Sequence, residues 1–142
     1  MFIEKPYKIA LIDDDPLILS LMNQAISRDK DVLPFAFQNP KEALVEIKNQ
    51  KIRLVYLDIN MPQMFGDDVL RECMKLKLGI QVYVVTGNAT MIISDRCFSL
   101  GARDILPKPL NIDDFRASVR EGVEYLDRWN DHMGRSTSRK PA

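Results

Sequence analysis

The sequence predicts an α/β fold in which a doubly wound, five-stranded parallel sheet is covered by helices on both faces. Five short apolar runs alternate with longer stretches of helical periodicity, which gives five βα units, (βα)5. The runs are almost continuously apolar, as strands are when both faces of their sheet are buried, and strands joined through single helices have to run parallel. At 142 residues the chain is long enough for one such domain and too short for two.

Strands and helices are expected in strict alternation. The strands are predicted at 7–12, 32–37, 52–57, 80–85 and 103–106, of which the last has the weakest pattern. Helices are predicted at 16–28, 40–50, 66–77, 90–100 and 112–130. Asp15 and Pro16 indicate where the first helix begins, and Asn111 can cap the last one. Apolar residues of that last helix recur at spacings of three and four, which predicts one docked face: Ile112, Phe115, Val119, Val123 and Leu126.

The end of the chain differs from the rest in composition. After residue 130 it reads DHMGRSTSRKPA, which is polar, small and basic with no apolar period. We therefore expect one domain over 1–130 and a disordered tail, or the start of a linker, over 131–142. Such a tail is too short for a DNA-binding domain, so the sequence indicates either a stand-alone domain or a piece of a longer regulator.

Composition excludes several classes of function. Twenty basic residues balance twenty acidic ones, so no net charge draws the chain to nucleic acid or to a membrane surface. The first apolar run is too short for a signal peptide, and no stretch approaches the roughly 20 apolar residues of a membrane span, so a cytoplasmic protein is expected. Cys73 and Cys97 are too few and too far apart for a disulfide framework or a zinc site, and we expect both to be buried.

Polar side chains stand where four of the predicted strands end. Asp13 and Asp14 follow the first strand, Asp58 ends the third, Thr86 follows the fourth and Lys108 the fifth. Ligand sites of open parallel sheets form beyond the carboxyl ends of the strands, so we expect these five side chains to converge. Two carboxylates ~4 Å apart repel by about 4 kcal/mol at an effective dielectric near 20, so three of them need a cation. Lys108 supplies one positive charge, and ligands that are all oxygen suit Mg²⁺.

A carboxylate nucleophile beside Mg²⁺, a hydroxyl and a lysine form a phosphoryl-transfer site, because that reaction requires positioning and charge neutralisation above all. The motifs LIDDDP, YLDINMPQMFG, VVTG and GARDILPKP stand in this order over about residues 6 to 128. Together they resemble the receiver domain of bacterial two-component response regulators. The resemblance implies the flavodoxin-like strand order 2-1-3-4-5 and a phosphoacceptor at Asp58.

The resemblance also assigns partners and roles. It implies a sensor histidine kinase or a histidine phosphotransfer protein as phosphodonor, and a downstream effector protein or a missing output domain as recipient of the signal. Mg²⁺ would be held by Asp13, Asp14, Asp58 and the main-chain carbonyl of Asn60. Thr86 would move toward the phosphoryl group, Lys108 would pair with it, and the Lys108–Pro109 bond would be cis. Such a protein is no enzyme but a phosphoacceptor switch that assists its own phosphorylation and dephosphorylation.

Two positions depart from the family pattern and leave an alternative open. Ile105 stands where the family usually has an aromatic residue, and Pro107 removes a backbone donor next to Lys108. A receiver-like interaction module that works without phosphorylation is therefore the alternative function. A phosphatase of the haloacid dehalogenase type would need an acid where this chain has Asn60, and a flavodoxin-like protein needs a phosphate cradle where DDDP would repel the ligand.

Overall fold

The computed structural model describes residues 2–62 and 64–138. Its strands and helices alternate as predicted, and most of their bounds lie within two residues of the predicted ones: β1 Tyr7–Ile12, α1 Pro16–Ile26, β2 Val32–Phe37, α2 Pro40–Asn49, β3 Leu54–Asp58, α3 Gly66–Lys75, β4 Gln81–Thr86, α4 Met91–Ser99, β5 Asp104–Pro107 and α5 Ile112–Ser138. The (βα)5 prediction is confirmed.

The five strands form one parallel sheet in the order β2-β1-β3-β4-β5, as the resemblance implied. β2 lies on one side of β1, whereas β3, β4 and β5 follow one another on the other side. The strand order therefore reverses between β1 and β3. Asp58 lies beside Val85 in the register of β3 and β4, and Thr86 lies beside Pro107 in that of β4 and β5. The carboxyl ends of the strands therefore meet along one edge of the sheet, where sites of this architecture form.

The sheet separates two apolar cores, and alternate residues of each strand enter opposite ones. Ala10 and Ile12 of β1 pack with α2, α3 and α4, whereas Ile9 and Leu11 pack with α1 and α5. The first core contains Cys73 and Cys97, which are free and buried as predicted. The second contains three packed rings, since Tyr56 stacks on Tyr83 at 4.9 Å between ring centroids and meets Phe115 edge-on at 4.9 Å. Burial on both faces explains the apolar runs of the central strands β1, β3 and β4, whereas the edge strands β2 and β5 are partly exposed.

Side-chain caps set where two helices begin. The Asp15 carboxylate accepts a hydrogen bond from Leu17 N at 2.9 Å, with Pro16 at the first helical position. Asn111 Oδ1 accepts one from Asp114 N at 3.0 Å at the start of α5. Both starts agree with the sequence prediction. The two caps fix the chain directly after β1 and directly after the Lys108 loop. Both positions flank the carboxyl edge, the edge of the sheet where the carboxyl ends of the strands meet.

Helix α5 is longer than predicted. It continues to Ser138, whereas the sequence predicted an end at residue 130 and a disordered tail or linker from there. The helix end therefore lies later than predicted, whereas the division into a domain over 1–130 and a tail or linker after it stays a prediction; residues 139–142 lie outside the described part of the chain. Residues 131–138 lack an apolar period, yet they contain no proline, and Gly134 costs a helix only about 1 kcal/mol, so the helix is not interrupted. Across the described residues, neither α5 nor any other helix combines the length and hydropathy of a membrane span.

Candidate functional site

Three carboxylates meet at the carboxyl edge of the sheet, where the strand order reverses between β1 and β3. One oxygen each from Asp13, Asp14 and Asp58 lies within 4.8 Å of the others. Asp13 and Asp58 are buried, with 1% and 4% of their surface exposed, whereas Asp14 is exposed to solvent. The predicted acidic cluster is therefore present, and it is open to water on the side of Asp14.

Lys108 places a cation between the two buried carboxylates. Its Nζ donates a hydrogen bond to Asp13 Oδ2 at 2.9 Å and lies 3.6 Å from Asp58 Oδ2. The Lys108 N–H donates to Thr86 O at 2.8 Å, which holds the loop after β5 against β4, and the Lys108–Pro109 bond is cis as predicted. Burial lowers the pKa of Lys108, but the hydrogen bond to Asp13 and the charge of Asp58 outweigh this and raise it. The amine therefore stays protonated.

Main-chain amides orient the other polar groups. Asn60 N donates to Asp58 Oδ1 at 3.1 Å, and Asp15 N donates to Asp13 Oδ1 at 2.9 Å. Thr86 is fully buried, and its Oγ1 accepts a hydrogen bond from Asn88 N at 3.1 Å. Each side chain is thus held by the turn that follows its own strand. Asp13 Oδ2 is already bonded to Lys108, which leaves Asp58 Oδ2, 3.6 Å from Lys108 Nζ, and the hydroxyl proton of Thr86 for other partners.

The ionised form of Asp58 is destabilised by its burial and by the neighbouring carboxylates. Burial raises the pKa of Asp58 from 3.8 to about 6, and the charges of Asp13 and Asp14 add to this effect. The hydrogen bond from Asn60 N and the charge of Lys108 oppose it. A further cation at the cluster would relieve this repulsion.

Replacing the charge of Asp58 is expected to stabilise the metal-free domain. A carboxyl whose pKa rises from 3.8 to about 6 on folding opposes folding at pH 7 by about 3 kcal/mol, since each pKa unit corresponds to 1.36 kcal/mol. Asp58→Asn should therefore raise the free energy of unfolding, measured with urea and a chelator, by about 2–3 kcal/mol at pH 7. The exposed-helix variant Asp113→Asn serves as control.

The stability gained by Asp58→Asn is expected to be larger at neutral pH than at acidic pH. Its pKa is higher in the folded than in the unfolded state, so its contribution to stability is fully present below about pH 4 and is lost as the pH rises through about 6. The difference between Asp58→Asn and wild type should accordingly shrink on acidification. A difference that is constant between pH 4 and pH 7 would contradict the raised pKa.

Gly66 makes a contact that the sequence did not predict. Its N–H donates to Ile59 O at 3.0 Å, which closes the loop after Asp58. A Cβ on Gly66 would stand 2.4 Å from Ile59 Cα and 2.9 Å from Asp58 O, both main-chain atoms that cannot turn aside. The glycine therefore allows α3 to start directly against the end of β3.

Gly66→Ala is expected to lower the free energy of unfolding by about 2–3 kcal/mol, because the new methyl group forces the backbone of the Asp58 loop to shift. Urea denaturation measures this change. Gly87→Ala is the matched control, since a Cβ there would meet only Lys108 Cβ, at 3.9 Å. If both variants are equally stable, the close approach at Gly66 does not constrain the loop.

Comparison with known proteins identifies the family of this chain. The family model described as the response regulator receiver domain matches residues 9–120, which include the three clustered carboxylates, Thr86 and Lys108. The chain belongs to this family. The predicted recognition, fold and functional class are thereby confirmed: this is a receiver domain of the two-component signalling type, and such a domain is a signalling switch.

Several relatives of this receiver domain are longer proteins. It is 30% identical over 134 residues to transcriptional regulatory protein FlgR of Helicobacter pylori, covering 94% of this chain and 34% of the relative. It is 32% identical over 112 residues to transcriptional regulatory protein NatR of Bacillus subtilis, covering 78% of this chain and 47% of the relative. The chain thus spans between a third and a half of the length of these curated relatives.

A solved receiver domain shares both fold and extent with this chain. The response regulator receiver domain protein (CheY-like) from Methanospirillum hungatei JF-1 is 28% identical, with a TM-score of 0.76 over 86% of this chain and 97% of that one. The departures from the family pattern sit within this common fold. Ile105 is half-buried against the core on the α4 side of the sheet, and Pro107 lies next to Thr86 in the register of β4 and β5.

Proposed function

We propose that this receiver domain accepts a phosphoryl group on Asp58 in a Mg²⁺-dependent reaction and that the modification changes its partner binding. The observation that carries the proposal is the Lys108 ammonium, which lies within 4.0 Å of both buried carboxylates in a cluster that also includes exposed Asp14. A buried, partly neutralised carboxylate beside a fixed cation and an opening to water suits a phosphoryl acceptor, because the reaction mainly requires positioning and charge neutralisation.

The donor set fits Mg²⁺. The three clustered ligand atoms are carboxylate oxygens, which hard divalent cations prefer, and the solvent exposure of Asp14 suits an ion that keeps several waters. We assign Asp13, Asp14, Asp58 and the main-chain carbonyl of Asn60 as the residues that would hold the ion. When bound, Mg²⁺ supplies positive charge that neutralises the carboxylates and the phosphoryl oxygens.

The transfer follows from the groups that surround Asp58. A carboxylate oxygen of Asp58 attacks the phosphorus of a phosphohistidine on the partner; the new O–P bond forms as the P–N bond breaks, and its electron pair returns to the imidazole. With a pKa of about 6, Asp58 is mostly ionised at pH 7 and can act as nucleophile. Asn60 N holds one oxygen in place, and Lys108 donates to the transferred phosphoryl group. Water can hydrolyse the acyl phosphate in place, which makes the domain a self-limiting switch and not an enzyme with turnover.

Thr86 is the proposed link from the phosphoryl group to the protein surface. Its hydroxyl oxygen now accepts from Asn88 N in the loop that leads to α4. Movement of Thr86 toward a phosphoryl oxygen would exchange that hydrogen bond and release the loop. A phosphoryl group shifts a conformational equilibrium only if it interacts differently with the two states, and Thr86 and Lys108 supply that difference. Helix α4 carries the exposed apolar side chains Met91 and Ile92, which are candidates for the partner surface.

The partners and setting remain proposals from the sequence and the family. We propose a sensor histidine kinase or a histidine phosphotransfer protein as phosphodonor, and an effector protein or an output domain of a longer regulator as the responding partner. Two similar relatives are named transcriptional regulatory proteins, which supports the second form of output. We further propose that the receiver domain spans residues 1–130, that it is located in the cytoplasm and that it does not bind nucleic acid directly.

Intact mass spectrometry tests the proposed function. The wild-type chain is incubated with acetyl phosphate, with Mg²⁺ in one sample and a chelator in the other. We expect a gain of one phosphoryl group that requires Mg²⁺. No gain, under conditions that label an established receiver domain, would instead favour an interaction module that works without phosphorylation.

A further inference from the structure

A groove lies at the end of the sheet opposite to Asp58. It has a volume of about 250 Å³, and its walls include Ile3, Arg53, Leu78, Gly79, Tyr125 and Trp129. Arg53 directly precedes β3, whereas Asp58 ends it, so the two residues lie about 16 Å apart along the strand at 3.3 Å per residue. The groove is therefore separate from the acidic cluster and has no part in the proposed phosphoryl transfer.

Arg53 is a buried cation without a counter-ion among the described residues. Its side chain is covered, with the residue only 5% exposed, and its Nη1 donates a hydrogen bond to Ile52 O at 3.2 Å. Burial lowers the pKa of the guanidinium, and no neighbouring carboxylate opposes this effect. Buried charges in folded proteins are normally paired, because an unpaired charge in a low-dielectric site is strongly destabilising.

Arg53 has further donors beside the groove that it lines. A guanidinium carries five N–H donors, of which the hydrogen bond to Ile52 uses one. In the described part of the chain no buried side-chain nitrogen or oxygen lacks a hydrogen-bond partner, so the remaining guanidinium nitrogens must reach open space. The groove is the space that Arg53 lines. The main chain of Arg53 is fixed there, because its carbonyl accepts a hydrogen bond from Gln81 N at 2.8 Å.

Apart from Lys77, a second cation, the remaining walls of the groove are mainly apolar. Leu78 and Trp129 are 37% and 45% exposed, so both present apolar area to a bound molecule. Gly79 adds no side chain to the wall, and a Cβ there would meet no atom within 4 Å. The volume lies just below the range of about 300–1,000 Å³ that is usual for drug-sized ligands, so a ligand of one ring or a short branched chain fits.

We propose that this groove binds a small organic acid, with its carboxylate on Arg53 and its apolar body against Leu78 and Trp129. The planar fork of a guanidinium matches the two oxygens of a carboxylate, and such charge-assisted pairs are stronger than neutral hydrogen bonds. The ligand would supply the counter-ion that Arg53 lacks within the described chain, and its body would cover the exposed apolar walls.

Trp129 provides a direct readout, because it is the only tryptophan of the chain. Benzoate is titrated into the wild-type protein at pH 7 and tryptophan fluorescence is followed. We expect a saturable change with benzoate. Benzamide has the same ring but no charge, and acetate has the charge but no ring. Both should bind about tenfold more weakly or worse, because charge-assisted hydrogen bonds and apolar contact are each worth that much.

Arg53→Met keeps the length of the side chain and removes its charge. It is expected to lose the preference for benzoate over benzamide, whereas Arg71→Met should bind benzoate as the wild type does. Arg71 is the matched control because it is half-exposed on α3 and pairs with Asp68. Leu78→Glu is a second test that keeps Arg53: its carboxylate enters the same groove and should abolish benzoate binding.

Each possible result of these titrations either supports the proposed site or overturns it. Saturable binding that prefers benzoate, and that is lost in each of the variants Arg53→Met and Leu78→Glu that folds, supports the site. Should Arg53→Met fail to fold by circular dichroism, Leu78→Glu alone decides. Equal affinity for benzoate and benzamide, no saturable change up to about 20 mM benzoate, or wild-type affinity in the folded variants would overturn the proposal.

Discussion

Asp58→Asn is expected to remove phosphorylation of the domain by acetyl phosphate completely. The neutral amide has no carboxylate oxygen to attack phosphorus, while its Oδ1 can still accept the hydrogen bond that Asn60 N now donates to Asp58. The variant should therefore fold, and the stability gain expected from removing the buried charge makes misfolding a poor explanation for lost labelling. Intact mass after incubation with acetyl phosphate and Mg²⁺ measures the effect.

Asp113→Asn is the matched control for this experiment, because it removes an acid from the first turn of α5 without touching the cluster. It should be labelled as fully as the wild type. A gain of one phosphoryl group by Asp58→Asn, at the rate seen for the control, would mean that a different side chain is the acceptor.

Lys108→Met is expected to have the second large effect, on both chemistry and stability. The variant removes the cation beside Asp13 and Asp58, so the transferred phosphoryl group loses a preplaced charge and labelling should slow by about 10²- to 10³-fold. Two buried carboxylates also lose their partner, which should lower the free energy of unfolding by about 3–5 kcal/mol without metal. Mg²⁺ should recover part of the stability but not the labelling rate.

Labelling rates by mass spectrometry and urea denaturation measure the two effects separately. Lys75→Met is the control, since Lys75 pairs with Glu72 on an exposed face of α3. Lys108→Met with the labelling rate of the wild type would show that the ammonium does not assist transfer. Unchanged stability in chelator would show that Asp13 and Asp58 do not need its charge.

The sequence predicted those parts of the molecule that depend on local pattern. β1 and β2 have the predicted bounds because both are nearly continuous apolar runs between polar turns. Asp13, Asp14 and Asp58 could be expected to converge because parallel strands bring their carboxyl ends together whatever the details of packing. Asp15 and Asn111 follow from capping rules that involve only neighbouring residues.

The features that the sequence did not reveal depend on contacts between distant segments. Arg53 stands in the run IRLVYL, where it reads as an ordinary strand residue; its burial and its place in a groove with Trp129 arise only when α5 packs across the sheet. Gly66 reads as a turn glycine, and its need for close approach to Ile59 is visible only in three dimensions. The extension of α5 was missed because a helix without an apolar period gives no signal in the sequence.

Locating the phosphoryl group on the chain tests the proposed acceptor, Asp58, most directly. Borohydride reduces an aspartyl phosphate to homoserine, and peptide fragmentation then shows which residue has changed. After treatment with acetyl phosphate and Mg²⁺, we predict homoserine at position 58 and at no other aspartate, with no conversion when Mg²⁺ is withheld. Conversion of Asp13 or Asp14, or a phosphoryl gain in intact mass with no conversion at Asp58, would contradict the assignment of Asp58 as the acceptor.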